Sequence, residues 1–453
     1  MTRPANATRR LFLKSTTAMA AGLAWMPRRS YARVLGANDR LNMAVIGTGG
    51  MGSGHTRGLV NRKDADNLDV IQVCDVYRRR LNNNIKTIGK GADSGTMRYE
   101  EVLDNPDVDA VVIATPDHWH TKIAIEAMEA GKDVYCEKPL SLTIEQAIAC
   151  RDAVHRTGRV LQVGPQGTSS PGIWAAQDAI RDGRIGKVSW SQGSYCRNSR
   201  GGQFNWHIDP DAGPNNDRSS DGYVDWDRWL GHEYGLAEKI DWNADHFFRF
   251  RKYYAYNGGL ATDLLYHKLA PFTKAISGHD GEYPKRVVAS GGTYLEKDER
   301  DIPDTFMMMV DYPSEHTIVL ASVMTNDVGV EDVIRGQHGT LTFKDGITLS
   351  EQRTWAAEFR TNNGDLLETG TRTDDQGRQQ PDPPHGQASF AIEAPGRRDH
   401  MGNFIDAVRN GDELACNVDL GASTMVAIKM GVESLRQNKV MLWDAESETM
   451  RPA

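Results

Sequence analysis

The strand-like run Leu41-Asn42-Met43-Ala44-Val45-Ile46 passes without a spacer into Gly47-Thr48-Gly49-Gly50-Met51-Gly52. Few sequence features restrict a fold more. Gly47 permits a tight turn, Gly49 lets the backbone approach a ligand, and Gly52 lets the following helix pack closely on the strand. Alone, a Gly-x-Gly-x-x-Gly pattern is weak. Here a helical segment follows, and then a second apolar run, Asp69-Val70-Ile71-Gln72-Val73-Cys74-Asp75, which ends in an acid. That is the context of a dinucleotide fingerprint. A pyrophosphate is expected at the positive N-terminal end of the helix, and the Asp75 carboxylate at the adenosine ribose hydroxyls. A carboxylate there repels a 2′-phosphate, so NAD is expected in preference to NADP. Arg78, Arg79 and Arg80 weaken that preference, because one of them could pair with a phosphate.

The alternation continues. A short third strand is expected at Met97-Arg98-Tyr99 and a fourth at Asp109 to Ala114. Thr115-Pro116-Asp117-His118-Trp119-His120 reads as a loop opening a helix that runs to about Ala130. Lys132 to Cys136 is the next strand, Thr143 to His155 a helix, and Val160 to Val163 the last strand. Near-continuous apolar strands with helices between them predict a parallel sheet covered on both faces. From about Val188 the pattern changes. Val188 to Tyr195, Arg286 to Gly291, Thr305 to Tyr312, Thr317 to Val323 and Thr340 to Phe343 read as strands with few helices between them. The fold expected is therefore α/β. It has an N-terminal Rossmann domain over residues 40–165, then an α+β domain over 166–445 with a large, mostly antiparallel open sheet.

Two stretches stand apart. Residues 197–257 are rich in aromatic and charged side chains, including Trp206, His207, Trp226, Trp229, Trp242, His246, Arg249, Arg251, Lys252 and Tyr253. They read equally as a packed excursion or as a sugar-binding wall. Residues 361–397 read as a long exposed loop, and His400 to Gly411 and Ala422 to Gln437 as closing helices.

Residues 1–32 carry an address. Thr8-Arg9-Arg10-Leu11-Phe12-Leu13-Lys14 precedes an apolar stretch from Ser15 to Met26, and Ser30-Tyr31-Ala32 offers a cleavage site after Ala32. This matches a twin-arginine signal, which predicts passage through the twin-arginine export machinery to the periplasm as a folded protein. With no nucleotide pool outside the cytoplasm, the cofactor is expected to be held tightly. The formal net charge is −8, and residues 1–32 contribute six positive charges and no acid, so the remainder is more acidic still. That argues against nucleic acid or an anionic membrane as partner. It disfavours a strongly anionic substrate too, unless a local basic pocket overrides the average. The five cysteines form no Cys-x-x-Cys pair, and Cys74 and Cys136 read as small buried hydrophobes.

Glu137-Lys138-Pro139, Thr115-Pro116-x-x-x-His120, Ala130-Gly131-Lys132 and Gly258-Gly259-x-x-x-Asp263-x-x-x-His267 occur together with the fingerprint. The set resembles the glucose–fructose oxidoreductase / inositol dehydrogenase / MocA family over nearly all of residues 40–445. The resemblance implies an oxidoreductase acting on a CH–OH group of a sugar, glycoside or polyol, assembled as a homo-oligomer, dimer or tetramer. It implies His267 as general base, assisted by Lys138 and Asp263; Asp263 and His267, four apart, share one face if the segment is helical. Gly47, Gly49, Gly50, Met51, Gly52, Asp75, Thr115, Pro116, His120, Glu137 and Lys138 are then the expected cofactor contacts, with Trp119 packing against the nicotinamide side. The alternative is a redox-neutral glycosidase, lyase or epimerase that oxidises a sugar hydroxyl transiently. No metal is expected: His118 and His120 lack a convergent third ligand. After Val163 the chain reads Gly164-Pro165-Gln166-Gly167-Thr168, where many relatives carry an arginine, so the sugar cannot be assigned by analogy.

Overall fold

In the computed structural model, which describes residues 40–453 except 345, 368 and 369, strand β1 (Leu41–Ile46) is central to the first sheet. The expected export signal lies outside the described residues. Helix α1 (Gly50–Asn61), β2 (Leu68–Cys74), α2 (Arg78–Ile88), β3 (Gly95–Thr96), α3 (Tyr99–Leu103), β4 (Ala110–Ile113), α4 (Asp117–Glu129), β5 (Asp133–Cys136), α5 (Ile144–Thr157) and β6 (Leu161–Val163) follow in turn. The strands pair in parallel in the order β3-β2-β1-β4-β5-β6. Every residue of Ala-Val-Val-Ile in β4 is buried, as a sheet covered on both faces requires. Helix α5 starts where its sequence says it should: Thr143 and Gln146 form a reciprocal capping box, and Gly158 ends the helix in the left-handed region.

The third strand is a correction. It occupies Gly95–Thr96 rather than 97–99, and Tyr99 begins a helix. The Thr96 hydroxyl accepts a hydrogen bond from the Arg98 backbone N–H at 3.0 Å, which turns the chain out of the sheet.

The second sheet, ten strands among the described residues, comprises β7 (Val188–Ser194), β8 (Arg286–Gly292), β9 (Thr305–Asp311), β10 (Thr317–Val323), β11 (Val333–Gly336), β12 (Gly339–Thr342), β13 (Thr348–Glu351), and, past the separate β14 (Gly370–Thr373) and β15 (Gln379–Asp382) hairpin, β16 (Ser389–Ala391), β17 (Met441–Asp444) and β18 (Thr449–Pro452). Its pairs are antiparallel except β7 with β10. Alternation in β9 and β10 buries Phe306, Met308, Val310, Ile318 and Leu320 on one face. Met307 and Met309 lie exposed on the other, with Trp190 of β7. The long helix Val418–Gln437 joins both sheets. A Cβ at its Gly421 would meet Val163 of β6 at 2.6 Å, and one at Gly431 would meet Met308 of β9 at 3.1 Å. The segment 361–397, expected as a loop, holds the β14–β15 hairpin and edge strand β16. All of β14 is exposed, so no burial period marks it in the sequence.

Packing leaves several histidines dry. Burial lowers His118 to about 3 and His267, His316 and His400 to about 4. In the unfolded chain they protonate near pH 6.5, so as pH falls from 6.5 to 4 the unfolded state binds about four protons that the native state refuses. Asp117, raised by burial to about 7, works the other way and offsets about one of them. Burial also lowers His120, His246 and His279, so the histidines outweigh Asp117 and stability should fall as pH drops from 6.5 toward 4. Thermal melts from pH 7 to 4.5 should therefore show a steep fall in Tm; a flat profile over that window contradicts the buried neutral imidazoles.

Candidate active site

The glycine turn is as tight as its sequence demands. Gly47 has φ +85°, and a Cβ on it would lie 2.8 Å from the Ala114 carbonyl carbon. A Cβ on Gly52 would lie 1.8 Å from the Gly47 carbonyl oxygen. Side chains at these points would push α1 off β1 and close the space above it. That space is a cavity of about 530 Å³ whose wall includes Gly47, Gly49, Gly50, Met51, Asp75, Thr115, Pro116, His120, Glu137 and Lys138. Ten of the eleven expected cofactor contacts thus share one cavity, and Gly52 lies beneath its floor.

Asp75 serves the turn itself. Its carboxylate accepts from the Thr48 backbone N–H at 2.7 Å, the Thr48 hydroxyl at 3.2 Å and the Tyr77 N–H at 2.8 Å. A carboxylate has about four acceptor sites, so a further hydroxyl can still be met. Of the three neighbouring arginines, Arg78 donates to the Arg218 carbonyl and Arg79 pairs with Asp209 and Asp211. Arg80 instead lies on the cavity wall over Phe247 at 5.0 Å, with Nη1 3.5 Å from where a Gly49 side chain would start. It makes no hydrogen bond or ion pair with another described residue, and it faces the point where a pyrophosphate would approach the glycine turn.

Residues 197–257 supply the opposite wall. Val224, Trp226, Trp229, Leu230, Phe247, Phe248, Tyr253 and Tyr256 form a separate core with Tyr77. Trp226 and Trp229 stack at 4.9 Å. The Trp229 carbonyl accepts from Trp119 Nε1 at 2.7 Å and faces His118 Nε2 at 3.1 Å, which fixes this wall to α4. The stretch is therefore both a packed excursion and a site element. It contributes Trp206, His207, Trp229, Phe250 and Arg251 to the lining, beside Trp119 of α4. Both ring nitrogens of His120 face carbonyls, those of Pro139 and Thr115, which locks the start of α4 to the two loops it joins.

Beside the Glu137-Lys138-Pro139 turn, Lys138 Nζ donates to Asp263 Oδ1 at 2.9 Å and to the Asp263 carbonyl at 2.8 Å. Both side chains are almost wholly buried. Arg251 Nε lies 3.0 Å from the same Oδ1, though not aligned as a hydrogen bond. Burial pushes the Asp263 carboxyl up, but Arg251 and Lys138 together pull it well below the usual carboxylate range. The Asp263 segment departs from the simple helix face expected: Ala261–Leu265 is a π-helical turn, and the α-helix Tyr266–Ser277 starts after it. Asp263 therefore faces the two cations and makes no hydrogen bond to His267. The His267 ring packs edge-on against Tyr195 at 5.8 Å and has no hydrogen-bond partner among the described residues, so its nitrogens remain available. Burial and the nearby Lys138 lower it to about 4, neutral at physiological pH. Asp263 meets the cavity wall through Lys138 and Arg251, and His267 lies within electrostatic reach of Lys138 and Glu137.

Two residues were missed by the sequence reading as site members. Asp117, first residue of α4, is buried on the cavity wall and accepts from Asn257 Nδ2 at 2.7 Å. Burial raises it to about 7, against the pull of Arg251 and Lys138. Its place directly after Thr115-Pro116 was the signal. His55 of α1 meets Glu137 Oε1 at 2.7 Å, with Gln166 on the same oxygen at 3.1 Å. Burial pushes Glu137 up, and His55 and Lys138 hold it below its ordinary value. Nothing in the sequence links positions 55 and 137.

Residues 41–165 match the family model for the oxidoreductase family, NAD-binding Rossmann fold, of the glucose–fructose oxidoreductase / inositol dehydrogenase / MocA type. The match covers the first, parallel-sheet domain and not the second. Levoglucosan dehydrogenase of Pseudarthrobacter phenanthrenivorans is 36% identical over 122 residues, 27% of this chain and 30% of its own. A glycosyl hydrolase family 109 protein of Stenotrophomonas maltophilia is 28% identical over 206 residues, 44% of each chain. The chain thus spans less than half the length of either relative. The fold extends further: a solved structure of levoglucosan dehydrogenase in complex with NADH superimposes with a TM-score of 0.60, at 20% identity, over 89% of this chain and 98% of that one. The glycine cradle, the cavity volume and the free Arg80 guanidinium all fit a dinucleotide.

Two measurements check this geometry. Gly52→Ala should weaken NADH binding at least about tenfold in a fluorescence titration, since overpacking of about 1–3 kcal/mol falls on the turn itself; unchanged affinity contradicts the cradle. In NMR titrations of labelled histidine, His267 should titrate near 4, and Lys138→Met should raise it toward 6.5 by removing a neighbouring positive charge. No movement in the variant would separate His267 from Lys138.

Proposed function

We propose that this protein is an exported oxidoreductase that removes hydride from a CH–OH group of a sugar, glycoside or polyol with tightly held NAD. The observation that carries the reading is the Lys138–Asp263 pair on the carboxyl edge of the dinucleotide sheet, with a neutral imidazole beside it. Bound in the cavity, a nicotinamide supplies the two-electron acceptor. Lys138 donates to the hydroxyl oxygen and steadies the charge that grows there. His267, unprotonated at physiological pH, takes the hydroxyl proton. Asp263 fixes the Lys138 ammonium in line. Asp75 at the ribose end favours NAD over NADP, and Arg80 serves the pyrophosphate. The twin-arginine start of the chain supports a periplasmic location with the nucleotide carried inside. The open sheet face with Met307, Met309 and Trp190 suits a second copy of the chain, giving a homo-oligomer.

A second reading has an observation of its own. Simple dehydrogenation needs one proton acceptor, His267, whereas Asp117 is a further titratable group on the same cavity wall, raised by burial to about 7. A redox-neutral cycle, in which a sugar hydroxyl is oxidised and later re-reduced around an elimination, uses two such groups. Similarity to a glycosyl hydrolase family 109 protein supports it.

Purified without added nucleotide and then denatured, the protein should release near-stoichiometric NAD(H). An empty protein would contradict the tightly held cofactor. With the cofactor in place, glycoside cleavage without any electron acceptor selects the redox-neutral cycle, and a requirement for an acceptor selects net oxidation. Lys138→Ala should lower either activity by about 100-fold or more, the loss typical of one positioned electrostatic group.

A further inference from the structure

Cations outnumber their counter-ions at the catalytic end. Lys138 and Arg251 share one oxygen of Asp263. Arg197, within electrostatic reach of His267, donates only to the Tyr195 hydroxyl at 3.0 Å and lies over that ring at 5.1 Å. It has no carboxylate partner among the described residues. The remaining acids do not fill the deficit. Glu137 turns its carboxylate toward His55 and Gln166, and Asp117 is held by Asn257.

Arg251 is the most informative of the three. Its guanidinium lies on the cavity wall, 5.1 Å from the Trp206 ring and 5.4 Å from Phe250, and is largely buried. Its Nε faces Asp263, yet both terminal nitrogens donate to no other described residue. The side chain keeps 23% of its surface exposed, and of its nitrogens only Nε is both fully buried and without a hydrogen bond, so the terminal nitrogens open onto the cavity. Here the fork points to a place that the protein leaves for something else. Trp206, the aromatic partner, keeps 40% of its surface exposed. A flat indole beside a forked cation can stack against the apolar face of a pyranose while the fork takes two oxygens of one planar group.

We infer that the Trp206–Arg251 corner, backed by Arg197, is an acid-sugar subsite, and that the substrate carries a carboxylate on a pyranose ring, as a uronate does. This rests on the oxidoreductase reading for the role of Lys138 and His267, and sharpens it by naming the substrate class. The carboxylate on Arg251 fixes the ring, and a hydroxyl elsewhere on it is then held at Lys138 and His267. The acidic character of the chain as a whole does not oppose this, because Arg251 presents its fork directly to the cavity, and a contact at hydrogen-bond distance outweighs the average charge.

The test uses the full protein with saturating NAD and two matched pairs: D-glucuronate against D-glucose, and D-galacturonate against D-galactose. Tryptophan fluorescence reads binding without turnover, and absorbance at 340 nm reads hydride transfer. In at least one pair the acid should bind about tenfold tighter or more. Arg251→Gln should cut that acid-to-neutral ratio by about tenfold, with Arg251→Lys recovering part of it, as expected for a charge-assisted, forked contact. No preference for the acid in any pair overturns the inference. So does a ratio unchanged in Arg251→Gln, or a variant whose only defect is loss of nucleotide. Neutral sugars that reduce NAD while acids fail to bind would sink the subsite and leave the oxidoreductase reading standing. Selective acid binding with no change at 340 nm would uphold the subsite and sink that reading.

Discussion

A carboxylate buried as deeply as Asp263 is tolerable only with cations against it, and the protein brings those cations from two separate segments. Lys138 comes from the end of a parallel strand in the nucleotide domain. Arg251 comes from the aromatic excursion that forms the far wall of the cavity. Asp263 itself sits on a π-helical turn leading into a helix of the second domain. One anion therefore ties together the three parts that must meet for a site to exist. Removing a single partner from such a buried set costs about 3–5 kcal/mol, because it leaves an uncompensated charge. The arrangement is valuable for position rather than for net stability.

The same economy of parts is seen around the nucleotide cavity. Gly47 and Gly52 leave no room for a side chain, so the α1 terminus can sit directly over the strand end. Asp75 spends three acceptor positions on holding that turn, and still faces the cavity. The aromatic excursion then covers the cavity. Its core packs on Tyr77 immediately after Asp75, and its Trp229 carbonyl is bound by Trp119 of α4. Fold and site are thus not independent layers. The residues that close the cavity also hold the second core together.

How much of this was legible in the sequence depended on the range of the interaction. The first sheet was readable almost strand by strand because each strand is a short apolar run, and the fingerprint and the Glu137-Lys138-Pro139 turn are local. The failure at Met97-Arg98-Tyr99 was also local: a Thr96 hydroxyl competing for the Arg98 N–H bends the chain where propensity alone predicts a strand. Strands β11 and β13 to β18 were not read: β14, β16 and β18 are short and largely exposed, where burial imposes little alternation, and β11, β13, β15 and β17 are only four residues long. Lys138, Asp263 and His267 were named from motifs. The partnership of Asp263 with Arg251 was not, since nothing in the chain announces that a guanidinium in an aromatic stretch returns to the Asp263 turn. His55 with Glu137, 82 positions apart, was hidden for the same reason.

The central claim is that Asp263 exists to hold two cations together, and a double-mutant cycle on thermal stability tests it most directly. Asp263→Asn leaves Lys138 and Arg251 buried side by side without their anion, and should lower Tm sharply. Arg251→Gln in that background should restore part of the loss, so that the double variant is more stable than Asp263→Asn alone, with a coupling within the range of about 0.5–3 kcal/mol seen for contacting residues. Additive losses would contradict the claim: Arg251 would then be an independent surface of the pocket, and Asp263 a partner of Lys138 alone.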